Sequence, residues 1–254
     1  MKKVYKKALI ICCTVMLLSG CQNSGDQKKE KLLKTGRAKL AALSTQNLDT
    51  VSQAVNAQQA ELKRLRRKAE EAKNPNQPRN YVDVFSNSVI MGDSIAAGLV
   101  DYQLLTNIQV IASRGRNVDT IDEDIQKVIN LAPSYIFMEY GMNDLQYFRQ
   151  NTPLFISEYT AAIQKLKTAL PNTKIYVNAI LPIMQNAINR VPENAGWPNF
   201  NAALKQMCTD LGVTYIDNAS ILTENGIGYN PDGIHPLFAY FPLWLDHMAE
   251  VAGL

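Results

Sequence analysis

Histidine occurs only twice in this chain of 254 residues, and cysteine four times. Cys12 and Cys13 fall within a basic-then-apolar N-terminal segment and Cys21 closes it, leaving Cys208 as the one cysteine of the remaining chain. One cysteine makes no internal disulfide, so the folded part must be held by a core. Two distant histidines and one retained cysteine do not supply the three or four ligands of a zinc site, and no metal is expected. Walker A and dinucleotide-binding glycine patterns are absent too; Gly226, Gly228 and Gly233 have the wrong spacing, and no cofactor is implied. No serine sits in a Gly-Xaa-Ser-Xaa-Gly elbow, which leaves the α/β-hydrolase fold unsupported. The apolar run from Ala8 to Leu18 is too short to span a bilayer.

That run has the makings of a secretory signal. Lys2, Lys3, Lys6 and Lys7 form a basic lead, and residues 1–20 end in Leu18-Ser19-Gly20 before Cys21. The tetrapeptide looks like a bacterial lipobox, with Cys21 as the lipid attachment site of an extracytoplasmic, membrane-anchored protein. An ordinary signal peptide with an incidental cysteine is the alternative.

Charge divides the rest in two. Residues 22–80 carry 13 Lys and Arg against 6 Asp and Glu, whereas residues 81–254 carry 9 against 17. The formal net charge of +3 therefore hides a basic stalk and an acidic head. The stalk suits an anionic membrane or wall polymer, and the acidic head argues against nucleic acid as a partner. Within 21–80, residues 28–73 lack proline and are rich in helix formers. Leu48, Val55, Leu62 and Ala69 recur every seven residues, with Val51, Gln58, Leu65 and Ala72 in complementary positions. Leu33 and Leu40 fall out of that register. The pattern predicts a solvated helical spacer or a helix docked on the head, with a coiled-coil homodimer as the other reading. A continuous helix over 28–73 would reach roughly 70 Å. Asn74-Pro75-Asn76-Gln77-Pro78 stops it.

From residue 81 short apolar runs alternate with helical periodicities. Strands are predicted at Ser88–Met91, Gln109–Ala112, Tyr135–Tyr140, Lys174–Leu181 and Val213–Asp217. One helix carries Val118, Ile121, Ile125 and Val128 on a face. A second carries Phe155, Tyr159, Ile163, Leu166 and Leu170, with Thr152 as cap and Pro153 at its first position. Two more span Phe200 to Leu211 and Leu237 to Val251. Such alternation means a parallel five-stranded sheet covered on both faces, with ligands outside the carboxyl ends of its strands. Cys208 lies in a helical pattern and reads as a small buried hydrophobe.

Four short blocks carry the chemistry. Gly92-Asp93-Ser94 follows the first strand, where a serine hydroxyl meets free backbone N–H groups at a helix start. Serine is a poor nucleophile without a base. His235 qualifies, because Asp232 lies three residues before it in a Pro-Asp-Gly turn and can fix its tautomer. His247, in the final helix, reads as packed or solvent-facing. Asn143, in Gly141-Met142-Asn143-Asp144, follows a strand and a glycine, and its amide can point over the sheet edge. Asp93 and Asp144 read as loop hydrogen-bonders. Arg114 and Arg116, around Gly115, leave two readings open: contact with an anionic substrate, or a solvated loop edge.

In order and type, Ser94, Gly115, Asn143 and His235 resemble the SGNH hydrolases, or GDSL esterase/lipase family, and Asp232 stands where that family has its aspartate. The second block, Ala112 to Arg116, has the glycine without the flanking Asn and Gly usual there. The resemblance covers roughly residues 86–254. It implies a flavodoxin-like, three-layer α/β/α fold, with Ser94, Asp232 and His235 as catalytic residues. It also implies Ser94, Gly115 and Asn143 as oxyanion donors. The expected activity is a serine esterase acting through an acyl-serine on a small acyl ester or acylated carbohydrate of the cell envelope. The alternatives are an O-acyltransferase using the same residues, and a surface binding module with a vestigial acyl site.

Overall fold

A computed structural model describes residues 33–37 and 79–254. The chain divides into two compact units, Met1–Asn74 and Pro75–Leu254. In the first, residues 33–37 are helical. The predicted signal at 1–20, Cys21 and the heptad positions from Leu48 to Ala72 lie outside the described residues. Among those that are described, no helix is long and apolar enough to cross a membrane.

In the second unit, the short helix α1 (Tyr81–Val84) leads into β1 (Ser88–Gly92), all five of whose residues are buried. A strand covered on both faces reads as a continuous apolar run rather than an alternation, which is why Val89-Ile90-Met91 was legible. The sheet is completed by β2 (Val110–Ala112), β3 (Tyr135–Glu139), β4 (Lys174–Asn178) and β5 (Thr214–Ile216). Its order is β2-β1-β3-β4-β5, and every pairing is parallel. This is the flavodoxin-like, doubly wound arrangement, α/β/α in layers. The chain leaves β1 toward β2 and later returns to the other side of β1 as β3. The crevice between β1 and β3 is thus the switch point where such sheets bind ligands. Gly92 pairs with both Ala112 and Glu139, so the carboxyl ends of β1, β2 and β3 are level.

Helices α2 (Ser94–Asp101), α3 (Asp122–Leu131), α5 (Thr152–Ala169), α7 (Trp197–Leu211) and α9 (Tyr240–Ala252) cover the sheet; α4 (Asp144–Tyr147), α6 (Gln185–Arg190) and α8 (Ser220–Glu224) are short. Helix α5 buries Phe155, Tyr159, Ile163 and Leu166 of the predicted stripe together with Ala162, whereas Leu170 caps the helix and is only partly buried. Phe155 stacks on Phe200 of α7 with ring centroids 4.5 Å apart. Trp244 of α9 is fully buried and donates its indole N–H to Asn178 Oδ1 at 2.9 Å, tying the last helix to the end of β4.

Several element ends differ from expectation. The cap of α5 is Asn151, whose side chain accepts the Leu154 N–H, and Thr152 is already helical. The predicted helix from Val118 is a 3₁₀ turn, Val118–Thr120, followed by α3. Strand β4 stops at Asn178 rather than Leu181. The Asn201 side chain takes both the N–H and the C=O of Ile180, each at 2.8 Å, and ends the ladder while the apolar run stays buried. Helix α9 starts at Tyr240, because the Leu237 N–H is held by Gly228 O at 3.0 Å. Cys208 is buried, and desolvation pushes its thiol up to about 12.

Candidate active site

Strand β1 ends directly beneath the site. The Asp93 N–H prolongs the pairing by donating to Glu139 O at 3.3 Å, and its carboxylate Oδ1 accepts the Ile95 N–H at 3.0 Å. Asp93 is thus the N-cap of α2, and Ser94 is the helix's first residue. At that position the backbone N–H has no partner within the helix and forms part of the positive end of its dipole.

Ser94 Oγ lies 2.9 Å from His235 Nε2, across a sequence separation of 141 residues. His235 Nδ1 lies 2.8 Å from Asp232 Oδ2. The other oxygen of Asp232 accepts the N–H groups of Ile234 at 2.8 Å and His235 at 2.9 Å. Desolvation raises the Asp232 carboxyl, but these backbone donors and the His235 ring outweigh it and hold it below the usual carboxylate range. An ionised carboxylate only accepts, so Nδ1 carries the ring proton and Nε2 presents its lone pair to the Ser94 hydroxyl. The side chains of His235 and Asp232 remain 38% and 43% exposed, which leaves the chain of bonds open to solvent.

Helix α6 braces the turn that holds this pair. Arg190 donates to Asp232 O, Asn186 Nδ2 donates to Pro231 O at 3.1 Å, and Met184 N–H donates to Gly233 O at 3.0 Å. Neither Asn186 nor Arg190 was foreseen. They belong to no motif and lie more than 40 residues from the turn, so no sequence signal pointed to them.

Asn143 faces the serine loop from the other side. Its Nδ2 donates to Asp93 Oδ2 at 2.9 Å and approaches Arg116 O at 3.4 Å. Gly141, two residues earlier, has φ +135°, and a side chain there would collide with Ile180. Only glycine lets the chain turn so tightly off β3. Gly115, at φ +75°, sits in a turn closed by the Arg116 N–H on Ser113 O at 3.2 Å. The Ser113 N–H bonds Gly92 O at 3.2 Å, which fastens that turn to the end of β1. Ser94, Gly115 and Asn143 therefore gather at one sheet edge, with Asn143 tied to the Asp93 carboxylate and the Gly115 turn to Gly92. The two arginines are engaged within the protein. Arg114 pairs with Asp101 at 2.6 Å in solvent, and Arg116 Nε lies 3.1 Å from the buried Asp124 carboxylate.

A group of buried acids lies under this edge. Burial raises Asp93 to about 6, against the Ile95 N–H and the Glu139 hydrogen bond. Glu139, also buried, is raised well above the carboxylate range by desolvation, then by the Asp93 charge and its hydrogen bond to Asp93. Glu139 is thus the proton carrier and donates to Asp93, whose oxygens stay free to hold Ile95 and Asn143. Its signal in the sequence was a lone acid ending the apolar run Tyr135–Met138. Gly92 makes room for it, since a Cβ there would stand 3.0 Å from Glu139 Oε2. Asp144 accepts the Val118 N–H at 2.8 Å, and burial raises it to about 7. Among the described residues no group of three or more His, Cys, Asp or Glu is arranged to hold a metal ion.

Asp144 sets a pH dependence of stability. Its folded-state value lies above the unfolded one, so its contribution is fully present below about pH 4 and is lost as pH rises through about 7. Asp144→Asn keeps an oxygen for the Val118 N–H and removes the ionisation. Thermal melts of this variant should exceed wild type by several degrees at pH 8, roughly 2–4 kcal/mol, and converge with it only near pH 4. Parallel pH profiles for the two proteins would show that Asp144 is ionised in the folded state.

The sequence profile described as the GDSL-like lipase/acylhydrolase family matches residues 90–237, a stretch holding Ser94, Gly115, Asn143, Asp232 and His235. No curated protein matches the chain. Among solved structures, the fold is similar to a GDSL-like lipase from Bacteroides thetaiotaomicron, at 16% identity over 75% of this chain and 97% of that one, TM-score 0.54. It is similar to a lipase/acylhydrolase from Enterococcus faecalis, at 14% identity over 66% and 96%, TM-score 0.51. A carbohydrate esterase family 3 protein from Talaromyces cellulolyticus aligns at 17% identity over 65% and 95%, TM-score 0.52. At such identities the likeness concerns the fold. The family match spans more than half of the chain and ends just beyond the histidine bonded to Ser94, so this chain belongs to the GDSL-like lipase/acylhydrolase family, hydrolases of ester bonds.

Proposed function

We propose that this hydrolase removes short acyl groups, acetyl foremost, from carbohydrate through an acyl-Ser94 intermediate. The observation that carries the reading is the continuous chain from Ser94 Oγ through His235 to Asp232, with distances of 2.9 and 2.8 Å. His235 Nε2 takes the Ser94 proton as Oγ attacks the ester carbonyl, and Asp232 stabilises the imidazolium. The Ser94 and Gly115 N–H groups and the Asn143 amide receive the oxyanion. Asp93 holds Asn143 Nδ2 at 2.9 Å, and the oxyanion takes the place of its long 3.4 Å contact with Arg116 O. A side-chain donor in that role accounts for ~10²–10³ in rate. The imidazolium then protonates the leaving sugar alcohol, and water attacks the acyl-serine with His235 as base again.

The exposure of His235 and Asp232 supports a small acyl group on a large hydrophilic carrier rather than a buried fatty chain. The carbohydrate esterase among the structural relatives points the same way. A series of p-nitrophenyl esters from acetate to laurate, with and without oligosaccharides, tests it. The kcat/KM should be highest for acetate and fall with chain length, with free acid as product. A maximum at laurate would sink the short-acyl reading. Acylated oligosaccharide without free acid would replace hydrolysis by transfer to a sugar hydroxyl.

A further inference from the structure

One helical turn beyond Asn143 lies an open depression of about 580 Å³, within the size range of small-molecule sites. It is lined by Asp119, Tyr147, Arg149, Asn151, Leu154 and Glu158, with Phe148 beneath. Helix α4 connects it to the site, because the Tyr147 N–H donates to Asn143 O at 3.1 Å. Four residues of helix place Tyr147 about 6 Å along the axis from Asn143. On the other side, Asp119 follows Val118, whose N–H is held by Asp144.

Tyr147 is 56% exposed, and its ring packs edge-on against the buried Phe148 at 4.9 Å. Asp119 lies close enough to the Tyr147 hydroxyl to push it above the usual phenol range. The chain that brings Arg149 to the depression is constrained. Arg149 and Gln150 take φ +47° and +62°, and Gln150 Nε2 donates to Pro192 O at 3.4 Å and Glu193 O at 3.3 Å. Left-handed backbone at two successive non-glycine residues persists only where surrounding contacts enforce it.

An exposed ring backed by Phe148 and set among two carboxylates, a guanidinium and an amide matches a pyranose, which has apolar C–H faces and hydroxyls around its edge. An acyl chain would leave those polar groups desolvated without partners. Two acids against one arginine disfavour a phosphate or a uronate. We propose that this depression is a glycan subsite: Tyr147 stacks on a sugar unit neighbouring the acylated one, and Glu158 and Arg149 bond its hydroxyls. The proposal rests on the carbohydrate reading above and assigns it a second contact point.

The test compares full-length wild type, Tyr147→Ala and Tyr147→Phe on p-nitrophenyl acetate and on O-acetylated mono- and tetrasaccharides of xylose, glucose and N-acetylglucosamine. Wild type should favour at least one tetrasaccharide over its monosaccharide. Tyr147→Ala should lose that gain, roughly tenfold and mainly in KM, with p-nitrophenyl acetate turnover unchanged. Tyr147→Phe, which keeps the stacking face, should retain most of it. An equal loss on p-nitrophenyl acetate, or no advantage for any tetrasaccharide in wild type, overturns the subsite and leaves the esterase reading standing. If no ester is cleaved, the esterase reading fails. Titration of the non-acetylated tetrasaccharides into Ser94→Ala, with and without Tyr147→Ala, then decides the subsite: binding that needs Tyr147 upholds it, and binding that ignores Tyr147, or none, removes it.

Discussion

Ser94→Ala should lose essentially all turnover, roughly 10⁴–10⁶ in kcat, with KM for small esters little changed. The oxygen removed is the one 2.9 Å from His235 Nε2, and no other hydroxyl occupies that position in the bonded chain. The helix start survives, because the cap is the Asp93 carboxylate on the Ile95 N–H and not the serine hydroxyl. Folding and ester binding should therefore persist while chemistry stops. Whatever turnover remains would come from a water activated by His235 beside the intact oxyanion donors, and it should form no covalent intermediate. A serine-directed fluorophosphonate should label wild type at Ser94 alone and spare the variant. His247, half-buried in α9, lies outside the bonded chain, so His247→Ala should label and turn over like wild type. Labelling that survives in Ser94→Ala would assign the nucleophile elsewhere.

The parts of this fold that were legible are those whose signal is local. Strand β1 was visible because a strand buried on both faces is written as an unbroken apolar run, and α5 because a five-residue stripe repeats at helical spacing. Ser94, Asn143 and His235 could be placed because each stands in a short motif directly after an element end or inside a tight turn. Features that depend on distant partners were not legible. Asn201 ends β4 from 21 residues away, and Asn186 and Arg190 brace the Asp232 turn from more than 40. The Asp93–Glu139 pair arises from the register of two strands, Gly92 against Glu139, which no single segment encodes. The predicted cap at Thr152 failed for a smaller reason. Asn151 and Thr152 are both good caps, and the choice depended on where the preceding loop, with its two left-handed residues, delivers the chain.

The second large effect concerns a substitution that alters no shape. In Asp232→Asn the oxygen that accepts the Ile234 and His235 N–H groups must remain an oxygen, or two backbone donors would face an amide N–H₂. The amide nitrogen therefore falls where Oδ2 stood, 2.8 Å from His235 Nδ1. Two donors cannot share one bond, so Nδ1 gives up its proton and accepts instead, and the ring proton moves to Nε2. Nε2 then points an N–H at Ser94 Oγ and has no lone pair to receive the serine's proton. The histidine is present, correctly placed and in the wrong tautomer. The expected loss is about 10⁴ in kcat, with KM for small esters close to wild type and melting behaviour little changed, since every backbone bond of the turn is kept. Asp232→Ala removes the acceptor for the two N–H groups as well and should destabilise the turn that Asp232→Asn preserves. Fluorophosphonate labelling should slow in Asp232→Asn by a factor comparable to kcat, because both begin with deprotonation of Ser94. Near-wild-type kcat in Asp232→Asn would mean that Asp232 only shapes the turn, and that His235 finds its working tautomer without it.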